Sequence, residues 1–416
     1  MTNHSTRKEN AGGVEPHRLE VRSFRGRSIP RISDQAVNEI VSVYARVMLS
    51  FSRRVAHSGK LPEIYVRKKK TLKANFLSGV KTAPELREIG AGLFAYVQHG
   101  SWGYSNAGLI TSGGASLLVD TLYDLALTRS MLDEMRRATP LSSNPNIVVN
   151  THADGDHCWG NQLVRGARII SSRSAALEMR ELSPELMATL VGTARALSRL
   201  GPARRFLASL SRIRVPRLPA LAEAAEFLVE CFGSFNFRGI ELTQPTERFD
   251  GRLMLRVGDK TIELVEVGPA HTKGDLFVHV PSERVVFSGD ILFAGSHPIM
   301  WQGPVENWIR ACDRLLALDV DVIVPGHGPL TDIHGVRVTK DYWERLVVLT
   351  DRGRRAGAST AEIARQALQE DFGGWSESHR LVANVDAIRR EQDGGRSRRH
   401  PLDVMAIMAR FGRDLT

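Results

Sequence analysis

Seven residues of metal-ligating type fall in four groups along this 416-residue chain. His152, Asp154, Asp156 and His157 lie within six positions, and His271, Asp290 and His327 follow one at a time. Neutral imidazole and carboxylate are the nitrogen and oxygen ligands that suit Zn²⁺, Fe or Mn²⁺. Two imidazoles and two carboxylates on one short segment are how a protein builds a metal site that stays open to substrate. Glycines flank the groups, among them Gly155, Gly268, Gly289 and Gly326. They permit the sharp turns and close backbone approach that a crowded site requires. One histidine at one strand end would mean little; the ordered set is strong.

Each group needs an element to deliver it. Ile147-Val148-Val149 is apolar and β-branched, and reads as a buried strand emptying into Asn150-Thr151-His152. A strand over 261–267 ends in Gly268-Pro269-Ala270-His271, one over 284–287 in Ser288-Gly289-Asp290, and one over 321–324 in Pro325-Gly326-His327. Ends that share one sheet edge converge in space although they lie far apart in sequence. Further strands are expected at 89–98, 106–111, 115–119 (ending in Asp120), 167–171, 240–243, 253–257 and 276–280. Helices are expected at 125–137, 174–182 and 305–318, with apolar helical spacing in the Leu-, Ala- and Arg-rich stretch 183–235. That stretch reads either as a lid or pocket wall, or as a helical pair packed to one side.

On these motifs the sequence resembles the metallo-β-lactamase superfamily over roughly residues 86–335. The motifs are Asp120 after an early strand, the His152-to-His157 loop, Gly-Pro-Ala-His271-Thr-Lys-Gly-Asp, Phe-Ser-Gly-Asp290 and Pro-Gly-His327-Gly. The resemblance implies a four-layer αββα sandwich with N-terminal, inserted and C-terminal helices, and metals at one edge. It implies two divalent metal ions, Zn²⁺ by default, with Fe or Mn as alternatives. His152, Asp154 and His271 would hold the first, Asp156, His157 and His327 the second, and Asp290 would bridge them. Asp156 would also orient the attacking water and accept its proton, as the catalytic residue. Asp120 is expected to support the ligand loop by hydrogen bonding, and His297 is a candidate substrate-binding residue.

One position departs from the family pattern. The usual loop is His-x-His-x-Asp-His, and here it is His-Ala-Asp-Gly-Asp-His, with Asp154 at the second histidine. An aspartate is shorter and anionic. It ligates a shifted metal, acts through water, leaves the first site weak, or orients a neighbouring ligand. A harder, more anionic site favours Fe or Mn more than a three-histidine site does.

The bulk numbers set the frame. Hydrophobic content of 42% is that of an ordinary globular protein. The absence of a long apolar run predicts no membrane span, and the polar start predicts no secretory signal. Three widely spaced cysteines argue against a disulfide framework and fit a reducing, cytoplasmic setting. The net charge of +10 resides wholly in residues 1–85, which hold 17 Lys and Arg against 7 Asp and Glu. The expected organisation is a disordered basic terminus (1–32), a basic helical extension (33–85), the metallo-β-lactamase-like domain (86–335) with its insertion (183–235), and a C-terminal helical region (336–416).

The function expected is hydrolysis of an ester, thioester, lactone or related small organic substrate by a metal-activated water. A metal-dependent oxidoreductase of the sulfur dioxygenase kind is the second reading. The third is a nucleic-acid-processing hydrolase that uses the basic N-terminus, which could also meet an anionic surface. The neutral body and apolar insertion favour the small molecule.

Overall fold

The computed structural model describes residues 83–142, 144–210, 217–395 and 399–415. The disordered terminus and almost all of the helical extension expected before the domain lie outside these residues. Seven strands form one sheet in sequence order: β1 (Glu85–Gly90), β2 (Leu93–Val97), β3 (Ala107–Ser112), β4 (Ala115–Val119), β5 (Ile147–Val149), β6 (Arg168–Ser172) and β7 (Glu247–Phe249). Pairing is antiparallel up to β4 and parallel from β4 to β7. Five strands form the second sheet: β8 (Arg252–Val257), β9 (Lys260–Glu266), β10 (Leu276–Val280), β11 (Val285–Phe293) and β12 (Val322–His327). Its order is β12-β11-β10-β9-β8, with β11 and β12 parallel.

The period-two alternation of the strands builds the layers. Leu93, Ala95, Val97, Ile110, Leu117, Val119, Ile147 and Val149 point inward and meet Ile262, Leu264, Leu276, Val278, Val285 and Phe287 of the second sheet. Their neighbours Tyr96, Leu109, Leu118, Val148 and Ile169 point the other way, against Met131, Leu132 and Met135. Those methionines and Leu132 belong to α1 (Leu125–Ala138), which Asp124 caps by accepting the Leu127 amide, while Arg136 and Arg137 sit in its last turn. Because β5 has an apolar contact on each face, Ile147-Val148-Val149 carries no polar residue at all. On the far side, α7 (Val305–Leu316) and α8 (Ile333–Arg355) cover the second sheet. Trp308 of α7 donates to the Ile291 carbonyl of β11 at 3.0 Å and packs on Trp343 of α8 with 4.6 Å between rings. The architecture is the expected αββα sandwich.

Three expected elements differ. The strand expected over 89–98 is two strands, because Gly92 takes a φ of +69° and turns the chain against the Thr111 carbonyl, where a Cβ would come to 2.7 Å. No strand forms at 240–243: Ile240 is buried, but the Glu241 amide and the Thr243 carbonyl bond the side chains of Gln162 and Asn161. The strand expected to stop at 287 continues as β11 to Phe293, with an irregularity in its register around Gly289. The segment after β5 is partly helical: α2 covers Gly155–Cys158.

Within 183–235 lie α4 (Pro184–Ser198), α5 (Ala203–Leu210) and α6 (Leu218–Phe232), after a short α3 (Arg173–Glu178). Past α8 come α9 (Thr360–Ala367), α10 (Arg380–Gln392) and α11 (Pro401–Leu415). Among the described residues, no helix is long and apolar enough to cross a membrane.

The C-terminal helices are tied to the loop behind the second sheet by Glu391 of α10, whose carboxylate accepts the Val305 amide at 3.2 Å. Burial, with help from nearby Glu306, pushes this carboxyl up to about 7. A group held above its unfolded value stabilises the fold below that value and loses the contribution as pH rises through the folded one. Stability attributable to Glu391 therefore falls between roughly pH 4.5 and 7. E391Q, which keeps the acceptor, should raise Tm at pH 8 relative to the unsubstituted protein and change it less at pH 5. An equal effect at both pH values would remove burial of the charge as the cause.

Candidate metal centre

All seven residues singled out in the sequence meet at one edge of the sandwich. His152 and Asp154 follow β5, Asp156 and His157 lie in α2, His271 sits in the β9–β10 connection, Asp290 in β11 and His327 at the end of β12. The donor atoms of His152, His271 and Asp290 lie within 4.8 Å of one another, as do those of Asp156, His157 and His327. Asp290 is the common member. Its Oδ2 is 3.2 Å from His271 Nε2, 3.3 Å from His327 Nε2 and 3.8 Å from His152 Nε2, and its Oδ1 is 3.2 Å from His157 Nε2. Gly326 makes this possible, since a Cβ there would stand 1.9 Å from Asp290 Oδ1.

The outward nitrogen of each imidazole decides what the inward one can do. His271 Nδ1 lies 2.7 Å from the Ile299 carbonyl and His327 Nδ1 3.1 Å from the Tyr104 carbonyl, so both must donate there. His157 Nδ1 donates to Asp120 Oδ2 at 2.9 Å. His152 Nδ1 meets the Thr151 hydroxyl at 3.0 Å; that hydroxyl spends its proton on Asp120 Oδ2 at 2.7 Å, leaving it to accept from His152. In the neutral form all four rings therefore carry their proton outside and a lone pair on Nε2, facing one another. His152 Nε2, His157 Nε2 and Asp290 Oδ1 are buried with no hydrogen-bond partner among the described residues. Buried polar atoms left this way are costly unless a cation joins them. The donor set and its orphaned atoms fit divalent metal ions.

The electrostatics point the same way. Burial pulls His157 down, but Asp290, Asp156 and Asp120 outweigh it and hold the ring well above the usual imidazole range. His271 rises to about 9: burial opposes this, and Asp290 and Asp154 overcome it. His152, buried beside His157, is driven well below the usual range. Asp290 sits well below the carboxylate range, because four imidazoles outweigh its burial. Carboxylates that pull protons onto imidazoles would hold a metal ion by the same attraction.

Asp154 occupies a different place from the tight trio. Its Oδ2 is 3.2 Å from His271 Nε2, and its side chain is 36% exposed where those of His152 and His271 are 1% exposed. It stands at the open side, against one ligand only. Asp156 Oδ2 lies 3.5 Å from His327 Nε2, and its main-chain carbonyl is held by the Ser105 hydroxyl at 2.6 Å. Asp120 takes no place among the inward atoms; it accepts from the Thr151 amide, the Thr151 hydroxyl and His157, so it orients two ligands at once.

His297 corrects the expectation of a loop residue open to substrate. It is fully buried, 3.3 Å from the Tyr342 hydroxyl and packed on Phe372 and Trp375, and burial together with Arg380 pulls its pKa down to about 3. The helices that cover it lie beyond residue 330, and nothing near position 297 announced them. The sequence reading also missed Thr151, whose only signal was adjacency to His152, and the carbonyls of Tyr104 and Ile299, which carry no signal at all. Phe293 was missed too: its ring stacks on His327 at 5.0 Å and edges His271 at 5.6 Å, and the Arg380 guanidinium lies 5.4 Å from it.

An αββα sandwich with an imidazole–carboxylate cluster on its strand ends defines a metal-dependent hydrolase fold. The family model of the metallo-β-lactamase superfamily matches residues 100–327, and the chain belongs to that superfamily, a hydrolase family whose members imply divalent metal ions. Over 129 residues the chain is 27% identical to the 2,4-dinitroanisole O-demethylase subunit alpha of Nocardioides sp. (strain JS1661), a match covering 29% of this chain and 39% of that protein. Over 94 residues it is 27% identical to the bovine acyl-coenzyme A thioesterase MBLAC2, covering 21% of this chain and 33% of the relative. The chicken thioesterase of that name is 23% identical over 256 residues, 58% of this chain and 79% of that one. The first two matches thus span little more than a third of the relatives. Among solved structures, a metallo-β-lactamase from Pontibacter korlensis aligns with a TM-score of 0.43 at 16% identity, covering 63% of this chain and 99% of that one.

T151V replaces the hydroxyl that accepts from His152 Nδ1 with a methyl group of the same shape. It frees that ring to change tautomer, and should weaken divalent-metal binding by about 10–100-fold in chelator competition. Unchanged affinity would show that Thr151 does not set the ring.

Proposed function

We propose that this chain is a metal-dependent hydrolase of esters and thioesters, lactones included, with Zn²⁺ as its metal. The observation that carries the proposal is the convergence of four Nε2 lone pairs on the Asp290 carboxylate at an open sheet edge. In this reading His152, His271 and Asp290 hold one ion, and Asp156, His157 and His327 the other, with Asp290 shared. Asp154 biases the first site from its open side through His271. Divalent ions held there would supply Lewis acidity toward a carbonyl oxygen and acidify an attacking water.

The remaining work falls to the chain's own groups. Asp156 is 13% exposed at its side chain, and burial raises its pKa despite the imidazoles beside it. A carboxylate so placed is suited to accept the proton that water loses as its oxygen bonds to the carbonyl carbon. The carbon–sulfur or carbon–oxygen bond then breaks, and the same proton can pass to the departing thiolate or alkoxide. Asp120 and Thr151 keep His152 and His157 from rotating while charge builds. The thioesterase named among the relatives makes an acyl thioester the first substrate to try. The name of the demethylase subunit, which gives an aryl methyl ether as its substrate, makes a carbon–oxygen bond the second to try. Three buried free cysteines support a reducing, cytoplasmic setting.

Elemental analysis of the purified protein, followed by a panel of thioesters, esters, lactones, sulfates and phosphodiesters, tests the reading. H152A, D156A and D290A should each lower turnover by roughly 100-fold or more while the far-UV circular dichroism is unchanged. Full activity in metal-stripped, folded protein would sink the proposal. Iron in the purified protein with oxygen consumption on a thiol substrate would transfer it to the oxidoreductase reading.

A further inference from the structure

His271 owes its orientation to one acceptor, the Ile299 carbonyl, 2.7 Å from its Nδ1. That carbonyl lies in the connection from Phe293, the last residue of β11, to Val305, the first of α7, where no helix or strand forms. Residues 297–300 are nevertheless buried. Buried backbone outside a ladder or helix must find partners for its amides and carbonyls elsewhere. Here α10 supplies them. Arg380 Nη1 donates to the His297 carbonyl at 3.0 Å, and Glu391 accepts the Val305 amide. Between them Asn384, four residues after Arg380 and so on the same helix face, reaches both neighbours of Ile299. Its Nδ2 donates to the Pro298 carbonyl at 2.8 Å, and its Oδ1 accepts the Met300 amide at 3.1 Å.

Asn384 is fully buried, and its Nδ2 also donates to the Tyr342 hydroxyl at 3.0 Å. With a carbonyl to meet Nδ2 and an amide to meet Oδ1, only one orientation of the side chain satisfies its partners. Within the same connection, the Trp301 and Gln302 amides both donate to the His271 carbonyl at 3.1 Å. His271 is therefore held, by its ring and by its main chain, to a segment that Asn384 pins on each side of the accepting carbonyl. The other three imidazoles take their outward partners elsewhere: His152 from Thr151, His157 from Asp120 and His327 from Tyr104.

We propose that Asn384 is a positioning residue for the first metal site. It fixes the Ile299 carbonyl, which fixes the His271 tautomer and with it the Nε2 lone pair. A helix that follows the last strand of the sandwich thereby governs metal binding at His152, His271 and Asp290, and leaves the set of Asp156, His157 and His327 alone. The proposal rests on the metal-centre reading above and is independent of which bond is cleaved.

Calorimetric titration of the metal-stripped, folded full chain with Zn²⁺ tests it. H271A identifies the first site as the Zn²⁺ equivalent that it abolishes. N384A should bind that equivalent about tenfold more weakly and leave the other unchanged. V385A truncates a buried apolar residue at the next position of the helix. It should lower Tm by opening a cavity and keep both Zn²⁺ affinities. Because Asn384 acts through His271, the double variant H271A/N384A should bind Zn²⁺ as H271A alone does. Should N384A fail to fold, N384D carries the same expectation, since it keeps the acceptor for the Met300 amide and loses the donor to Pro298. Unchanged affinity in the folded variant, equal weakening in V385A, or a further loss in the double variant would overturn the proposal. An unsubstituted chain that takes up no Zn²⁺ would overturn the metal-centre reading, and this proposal with it.

Discussion

The whole centre depends on one hydrogen-bonding choice: each imidazole gives its proton away from the cluster. A neutral imidazole has one donor and one acceptor nitrogen, so fixing the donor outside places the lone pair inside. Asp120 does this for His157 directly and for His152 through the Thr151 hydroxyl, and main-chain carbonyls do it for His271 and His327. Were any of the four reversed, an N–H would point at the Asp290 carboxylate and compete with a metal ion. The sheet edge is thus a means of holding four outward acceptors at fixed positions.

Particular features of the fold meet that requirement. Thr151 must lie beside Asp120, which sets β4 next to β5 in parallel, so that both strands end at the same level. The Leu276 amide bonds the Thr151 carbonyl at 2.9 Å, tying the first sheet to the second beside the ligands. Asp290 must reach between four rings, so β11 runs past the point where its register with β12 breaks, and Gly326 leaves room for its carboxylate. Asp275 accepts from the amides of Ala270 and Thr272 and from the Thr272 hydroxyl, closing the short loop that holds His271.

The aspartate that replaces the family's second histidine falls where geometry tolerates the change. Asp154 is the most exposed of the seven and leans on His271 alone. The trio next to it is completed by Asp290, not by position 154. An added negative charge at the open side deepens the pull on cations without disturbing the buried rings.

How much of this was written in the chain follows from the range of the forces. The alternation in β2 through β6, the apolar run of β5 and the order of the histidines and aspartates are local, and the family, the layers and all seven cluster residues could be read from them. Asp120 was legible as a supporting residue because it ends a strand beside a ligand loop. Contacts made across the sandwich were not legible. The break at Gly92 needs the Thr111 carbonyl beneath it, and residues 240–243 lose their strand to the side chains of Asn161 and Gln162. The burial of His297 was set by helices that begin more than thirty residues later. Sequence by itself determined which chemistry is present, since ligand type and strand periodicity are properties of residues and near neighbours. Only the tertiary structure decided which nitrogen faces inward and which carboxylate is shared, because those depend on groups brought up from distant strands.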